Sequence, residues 1–172
     1  EFTEYAQIIY DNLKEYHQLY DIYNDYEGIN NIKTINDNAG IKPVKVDKRI
    51  IDLIKFSKDM YEKTNGKTNI AFGAVLRIWH EYRTIGIEDP ANAALPPEEE
   101  LRIASEHTNI EDIIIDEEQS TVFLRDPFMS LDVGAVAKGH ATEQVSKIAT
   151  ESGMNSALLS VGGNVRAINK NV

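Results

Sequence analysis

The sequence predicts an α+β fold in which a β-sheet packs against helices. Apolar residues recur at helical spacing through most of the first half of the chain. Short apolar runs separated by turn residues follow at 113–115, 121–124 and 129–133, as is typical of strands. No internal repeat or low-complexity segment interrupts this order. A chain of 172 residues can bury a substantial core, so we predict a single domain over residues 1–172.

The first element is predicted to be an amphipathic helix over residues 5–21. Its apolar and aromatic side chains recur at helical spacing, which favours burial of one aromatic-rich face; they are Tyr5, Ile8, Ile9, Leu13, Tyr16, Leu19 and Tyr20. Residues 23–40 are rich in Asn, Asp, Gly and Tyr, which indicates turns around a short helical piece at 29–35. Polar loops of this kind often carry ligand-binding residues.

A second long helix is predicted to begin after Asp47, whose carboxylate suits an N-cap, and to end near Gly66. This helix would carry the apolar residues Ile50, Ile51, Leu53, Ile54, Phe56, Met60 and Tyr61. Residues 68–79 form a largely apolar segment that leads into a shorter helix at 80–83.

The second half of the chain is predicted to turn from helix to strand. Residues 89–97 form a loop, and the next helix begins at Pro97, with three glutamates favourably placed in its first turn. The runs at 113–115 and 121–124 then form a hairpin that leads into a strand at 129–133.

The segment that follows is the most informative motif, and it spans residues 131–141 with the sequence LDVGAVAKGHA. A strand carries Asp132, two glycines bracket a short turn, and Lys138 lies in the first turn of a helix that runs to about Ser152. Helix N-termini attract anions and small residues let the backbone approach a ligand, so the motif suits a phosphate group. A tight packing turn with a solvated lysine is the alternative for the motif alone. A strand at 157–161 follows and leads into Gly162.

Composition excludes several classes of function. The formal charge is −10, with 28 acidic and 18 basic residues, and no basic cluster is present, which argues against nucleic-acid binding. An acidic protein that binds an anionic cofactor needs helix N-termini, lysines or a divalent cation, so we expect metal-assisted binding. The absence of cysteine excludes disulfides, thiolate catalysis and cysteine-based metal sites. No apolar stretch approaches the length of a membrane span.

The histidines do not identify a catalytic site. His17, His80, His107 and His140 show no metal-ligand spacing. His80, beside Trp79, lies at the edge of a pocket or serves as a structural histidine, and we favour the second role. No Ser-His-Asp or paired-carboxylate arrangement follows from residue order, so the catalytic residues are unknown at this stage.

Three separated segments resemble the ApbE family of FAD:protein FMN transferases, in the order and spacing of that family. Together they extend the resemblance over essentially the whole chain; they are TNGKTNIAFG at 64–73 with Ile78 and Trp79, DVGAVAKG at 132–139, and ALLSVGGN at 157–164. Tyr26 and Asn36 also fit an early tyrosine-to-asparagine element of the family.

The resemblance implies an enzyme that binds FAD with a divalent cation, usually Mg²⁺. Such an enzyme transfers FMN to a threonine hydroxyl of an acceptor flavoprotein and releases AMP. The backbone carbonyl of Ala135 would be a metal ligand, and residues 162–164 would form a loop close to the same cleft. The residues that would contact FAD are Tyr26, Lys67, Thr68, Asn69, Asp132 and Lys138.

This chain also departs from the family pattern. It has Thr68 and Asn69 where many members have Phe-Asp, and His140 and Glu143 where tyrosine and aspartate are common. The family's later histidine motif and its Asp and Thr metal ligands would lie beyond Val172, and an early FAD-contacting segment would lie before residue 1. We therefore expect an incomplete ApbE-like domain that lacks N- and C-terminal segments, and a metal site that the fragment does not complete alone.

Three functions remain open from the sequence. The leading one is FMN transfer to an acceptor protein. The second is a metal-dependent FAD pyrophosphatase that yields FMN and AMP, and the third is a non-catalytic extracytoplasmic FAD-binding protein. Because family members are typically exported and often lipid-anchored, the resemblance implies an extracytoplasmic, membrane-anchored lipoprotein.

Overall fold

A computed structural model describes residues 2–169, and the outermost residues of the predicted 1–172 domain lie outside the described residues. The α+β prediction is confirmed. The helices are α1 (Phe2–Tyr20), α2 (Ile32–Asp37), α3 (Lys48–Lys63), α4 (Gly73–Glu88), α5 (Glu98–Ser105) and α6 (Gly134–Glu151). The strands are β1 (Val44–Lys45), β2 (Ile113–Asp116), β3 (Thr121–Leu124), β4 (Ala157–Val161) and β5 (Asn164–Ile168). Short 3₁₀ turns lie at Ile70–Phe72, Pro90–Asn92 and Ile110–Asp112.

The strands form two antiparallel sheets. The first has the order β1-β3-β2, and the predicted hairpin of β2 and β3 is confirmed by the pairing of Ile113 with Leu124. The second is the hairpin of β4 and β5, whose tight turn holds Gly162 and Gly163 at φ +53° and +89°. Glycine populates this left-handed region at little cost, which explains the double glycine at the turn.

The main core lies between the long helices and the three-stranded sheet. Fully buried aliphatic side chains from α2, α3, α6 and β3 meet there, and removal of their apolar surface from water stabilises the fold; they include Ile32, Ile35, Ile50, Leu53, Ile54, Val122, Leu124 and Val145. The aromatic face predicted for the first helix is confirmed, since Tyr16, Leu19 and Tyr20 are buried.

Two predicted helix bounds were wrong. The short helix begins at Ile32 rather than at residue 29, because Asn31 accepts a hydrogen bond from the backbone N–H of Thr34 and caps the helix there. The apolar segment at 68–79 is not separate from the helix after it, since α4 runs unbroken from Gly73 to Glu88.

The predicted strand at 129–133 was also wrong. Its backbone bonds go to helix ends rather than to a strand: the Asp132 N–H donates to the Ile70 carbonyl at 2.8 Å, and the Gly73 N–H donates to the Ser130 carbonyl at 3.0 Å. The Asn36 side chain exchanges two hydrogen bonds with the backbone of Leu131. These contacts fix the segment that leads into α6.

Lys138 lies further along its helix than predicted. Because α6 begins at Gly134, Lys138 is its fifth residue and lies in the second turn rather than the first. The helix ends at Glu151, as predicted, and Gly153 follows at φ +101°. Within residues 2–169, none of the helices is both long and apolar enough to cross a membrane.

Candidate functional site

Two neighbouring clefts hold most of the predicted site residues. The main cleft, about 680 Å³, lies between the C-terminal end of α1, the loop after it, α4, the start of α6 and the end of β4. The side cleft, about 420 Å³, lies between the 66–70 turn, α4 and the start of α6. Asp132 borders both clefts, and we take the two together as the candidate site.

Asp132 and Lys138 lie together in the main cleft. One carboxylate oxygen of Asp132 accepts the backbone N–H of Gly134 at 2.8 Å, which fixes the side chain at the start of α6. This bond leaves the second oxygen of the half-buried carboxylate available to a ligand. The capping role considered for Asp132 is therefore compatible with ligand contact.

Lys138 presents an ammonium group to the cleft beside the β4–β5 turn. A Cβ atom added to Gly162 would lie 3.3 Å from Lys138 Cδ and 3.9 Å from Nζ, so the glycine makes room for the lysine. Lys138 is exposed, and among the residues that the structure describes no carboxylate lies within 4.0 Å of its Nζ atom. A lysine without an ion-pair partner can compensate the charge of a bound phosphate.

Aromatic side chains form part of the lining of the main cleft. Tyr16 and Tyr20 of α1 border it, and so do Tyr23 and His80. The Tyr23 hydroxyl lies 3.4 Å from His80 Nε2, with the rings edge to face at 6.1 Å. Burial, and then the negative charges of Asp132 and Asp21, raise the pKa of Tyr23, so its hydroxyl stays protonated. Flat aromatic walls suit a planar ring system.

Tyr20 connects this wall to the interior through His140. The Tyr20 hydroxyl lies 3.0 Å from His140 Nδ1 and 3.2 Å from the Arg49 carbonyl, to which it donates. Burial lowers the pKa of His140 and raises that of Tyr20, so both groups are held neutral. They form a neutral, hydrogen-bonded floor beneath the cleft.

Tyr26, one of the predicted FAD contacts, is bonded to a residue of the cleft and does not border the cleft itself. Its hydroxyl donates to Asp21 Oδ2 at 2.7 Å and lies 3.4 Å from His17 Nε2. Among the described residues that border either cleft, Tyr23 appears and Tyr26 does not. Both tyrosines belong to one polar loop, and the sequence carried no signal to separate them.

Lys67, Thr68, Asn69 and Ala135 border the side cleft. This turn is fixed at both ends: the Thr68 N–H donates to Thr64 Oγ1 at 3.0 Å, and Asn69 accepts the Ala71 N–H while donating to the Thr108 carbonyl. Lys67 is exposed, and it too has no carboxylate within 4.0 Å among residues 2–169. The side cleft thus offers a second lysine without an ion-pair partner.

The oxygen atoms of Asp132 and Ala135 fit a magnesium site only in part. The Ala135 backbone and the Asp132 carboxylate both border the side cleft, but no group of three His, Asp or Glu side chains converges anywhere in residues 2–169. Magnesium often uses one or two protein oxygens together with water and substrate phosphates. These residues therefore fit a cation shared with a bound phosphate rather than a closed protein cage.

A third cleft of about 560 Å³ lies around His107 and Phe128 and holds none of the predicted site residues. His107 Nδ1 lies 2.7 Å from Asp126 Oδ2, so this histidine is hydrogen-bonded to a neighbouring carboxylate. Of the four histidines, His17 and His80 border the main cleft. His80 therefore lies at the edge of a pocket, which is the alternative that the sequence analysis did not favour.

Comparison with known proteins identifies the same family that the sequence motifs resemble. The ApbE family model matches residues 2–172. An FAD:protein FMN transferase from Klebsiella pneumoniae is 30% identical over 137 residues, which are 80% of this chain and 41% of that protein. A protein of the same name from Treponema pallidum is 30% identical over 142 residues, with 80% of this chain and 37% of that protein covered.

Solved structures show the same fold. The ApbE protein from Thermotoga maritima superposes with a TM-score of 0.80 at 26% identity, over 98% of this chain and 52% of that one. Flavin transferase ApbE from Vibrio cholerae has a TM-score of 0.81 at 19% identity, over 99% of this chain and 52% of that one. The chain thus spans about two fifths of the curated relatives and about half of the solved structures. By its sequence and by its fold, the chain belongs to the ApbE family.

Proposed function

We propose that the chain binds FAD and acts in an FAD:protein FMN transferase, which moves FMN from FAD to a threonine hydroxyl of an acceptor protein and releases AMP. The observation that carries the proposal is the position of Asp132 between two clefts, with Lys138 in one and Lys67 in the other. Relatives from Klebsiella and Treponema that carry the name FAD:protein FMN transferase support it.

In this proposal the dinucleotide extends over both clefts. The aromatic main cleft suits one ring system of FAD, and the pyrophosphate would lie near Asp132, between the two lysines. The proposed FAD contacts are Lys67, Thr68, Asn69, Asp132 and Lys138, to which we add Tyr23. Contact of Tyr26 with the nucleotide stays a prediction, and its bond to Asp21 favours Tyr23 for that role.

The reaction exchanges one phosphorus–oxygen bond for another. The acceptor hydroxyl loses its proton to solvent and its oxygen bonds to the phosphorus of the FMN moiety, while the bond to the bridging pyrophosphate oxygen breaks and that oxygen leaves on AMP. Lys138 and Lys67 would hold the pyrophosphate and compensate its charge. A magnesium ion at Ala135, when bound, would add charge neutralisation at the phosphates. We assign no general base within residues 2–169.

A titration with FAD tests the binding site directly. Flavin fluorescence is followed as the 172-residue chain is added to FAD, with and without magnesium. Saturable binding supports the proposal, and tighter binding with magnesium supports a cation shared with the nucleotide. A fluorescence signal that does not saturate, in either condition, contradicts it.

Product analysis then separates transfer from its alternatives. FAD is incubated with the protein and magnesium, with and without an acceptor flavoprotein, and FAD, FMN, AMP and protein-bound flavin are quantified by chromatography. AMP together with protein-bound flavin supports transfer. Free FMN and AMP without an acceptor would identify a pyrophosphatase, and stoichiometric bound FAD without AMP a binding protein.

We also propose that the protein acts outside the cytoplasm as a lipid-anchored protein. The support is the family resemblance alone. Fractionation of source cells into cytoplasm, membrane and detergent phases, followed with an antibody to this chain, tests it. Recovery in the cytoplasmic fraction would contradict the proposal.

A further inference from the structure

The loop between α1 and α2 is organised around one carboxylate. Asp21 Oδ1 accepts the backbone N–H groups of Tyr23 and Asn24 at 2.7 and 3.2 Å. Asp21 Oδ2 accepts the side-chain amide of Asn24 at 2.9 Å and the hydroxyl of Tyr26 at 2.7 Å. Four donors occupy the roughly four lone-pair positions of a carboxylate, so Asp21 has little capacity left for a ligand.

The same loop is anchored from its other end. The buried side chain of Asn31 donates to the Asn24 carbonyl at 2.8 Å, and the backbone N–H of Lys33 donates to the Asp21 carbonyl at 3.0 Å. The loop therefore has one defined path between α1 and α2. That path presents the ring of Tyr23 to the main cleft and brings its hydroxyl within 3.4 Å of His80.

Asp21 remains ionised across the physiological range. Partial burial raises its pKa, but hydrogen bonds from Asn24, from the Tyr23 backbone and from Tyr26 outweigh this and lower the pKa to about 2. Hydrogen bonds to an ionised acceptor are stronger than those between neutral groups. The loop is therefore held by charge-assisted bonds.

We propose that Asp21 is a positioning residue for nucleotide binding, which acts by holding Tyr23 on the wall of the main cleft. The inference rests on the proposed function, because it takes FAD as the ligand of that cleft. Asp21 also borders the cleft, but its carboxylate is negative and its acceptor positions are occupied, so a direct bond to an anionic nucleotide is disfavoured.

A double-mutant cycle tests this inference. The dissociation constant for FAD and the melting temperature are measured for the parent chain, Asp21→Asn, Tyr23→Ala and the double variant. Asp21→Asn keeps the shape but replaces an acceptor oxygen by a donor amide, so we expect the dissociation constant to rise about threefold to tenfold. In the Tyr23→Ala background we expect little further change, because the group that Asp21 positions is absent.

The outcomes separate the positioning role from general stabilisation. Equal fold-changes in both backgrounds, or no change from Asp21→Asn in the parent, would overturn the inference. If Asp21→Asn does not fold, Asn24→Ala replaces it in the cycle, because it removes one of the four donors and keeps the carboxylate. Asp47→Asn is the control, since Asp47 also accepts a backbone N–H, at the N-cap of α3, but lies outside both clefts. Failure of the parent chain to bind FAD would instead overturn the proposed function itself, and this inference with it.

Discussion

The lysine of the main cleft has no ionic role within the described part of the fold. Lys138 is exposed and unpaired there, whereas Lys147, on the same helix, lies 3.8 Å from Glu143. We expect Lys138→Ala to raise the FAD dissociation constant about tenfold or more, the range for loss of a hydrogen bond to a charged group. The melting temperature should stay nearly unchanged, since exposed positions contribute little to stability. Fluorescence titration measures the first and circular dichroism the second.

Lys147→Ala is the control for this prediction and should bind FAD as the parent does. Lys138→Arg should retain most of the affinity if charge is what matters, and less if the compact ammonium is required. An unchanged dissociation constant for Lys138→Ala would show that the nucleotide does not reach this side chain.

Among single residues, the sequence pointed to Asp132 and Lys138, which border the main cleft, but it could not tell which tyrosine of the polar loop does so. The small-residue motif predicted a ligand site at Asp132 and Lys138, and the structure brings both into one cleft, although the predicted turn between Gly134 and Gly139 is part of α6. The sequence did not single out Tyr23 as the tyrosine that borders the cleft, because Tyr23 and Tyr26 lie in one polar loop. Which ring faces the cleft depends on the hydrogen bonds around Asp21, and those form only when the loop is folded.

The start of α4 is the element that fixes the segment carrying Asp132. Gly73 packs directly against the Ser130 carbonyl, to which its N–H donates, and an added Cβ would overlap that carbonyl. We expect Gly73→Ala to lower the free energy of unfolding by about 1–3 kcal/mol, as overpacking does, and to weaken FAD binding by displacing Asp132. Urea unfolding and FAD titration check the two effects.

Gly86→Ala, in the same helix, is the comparison for Gly73→Ala. A Cβ there would meet only the side chain and Cα of Ala93, the nearest at 3.3 Å, so the gain in helix propensity should keep stability close to that of the parent. Equal effects of the two substitutions would show that close packing at Gly73 does not control the Asp132 segment.

At the element scale, local patterns were sufficient where an element buries its own face. The periodicity of α1 and α3 and the two apolar runs of the hairpin predicted those elements close to their observed bounds. Segment 129–133 has the same apolar composition as a strand, but its hydrogen bonds go to the 3₁₀ turn at 70–72, to α4 and to Asn36. Its partners are distant in sequence, so no local pattern could distinguish it from a strand.

At the scale of the whole molecule, an acidic protein binds an anionic dinucleotide only through local compensation. The net charge is −10, yet each of the two clefts that Asp132 borders also holds a lysine without an ion-pair partner in residues 2–169. Charges beyond about 10 Å are largely screened at 0.1 M salt, so nearby lysines dominate over the distant acidic surface. The distribution of charge, rather than its sum, is therefore what permits the proposed ligand.

Stability should fall in acid, because protons bind the unfolded chain more readily than the folded one. The pKa of Asp21 is lowered from 3.8 to about 2 by hydrogen bonds that outweigh its burial, so its stabilisation is present above about pH 4 and is lost as the pH approaches 2. Burial lowers the pKa of His140, so a further loss begins below its ordinary value of 6.5. We expect the urea midpoint to decrease continuously from about pH 7 to about pH 2.5.

Two variants identify the source of this acid sensitivity. Asp21→Asn should flatten the decline below about pH 4, because the titrating carboxylate is gone. Asp25→Asn should leave the profile as in the parent, since Asp25 is exposed and pairs only with Lys33 on the surface. If Asp21→Asn instead kept the full decline below pH 4, the loop carboxylate would not be held ionised by its four donors, and both its low pKa and its role in ordering Tyr23 would be contradicted.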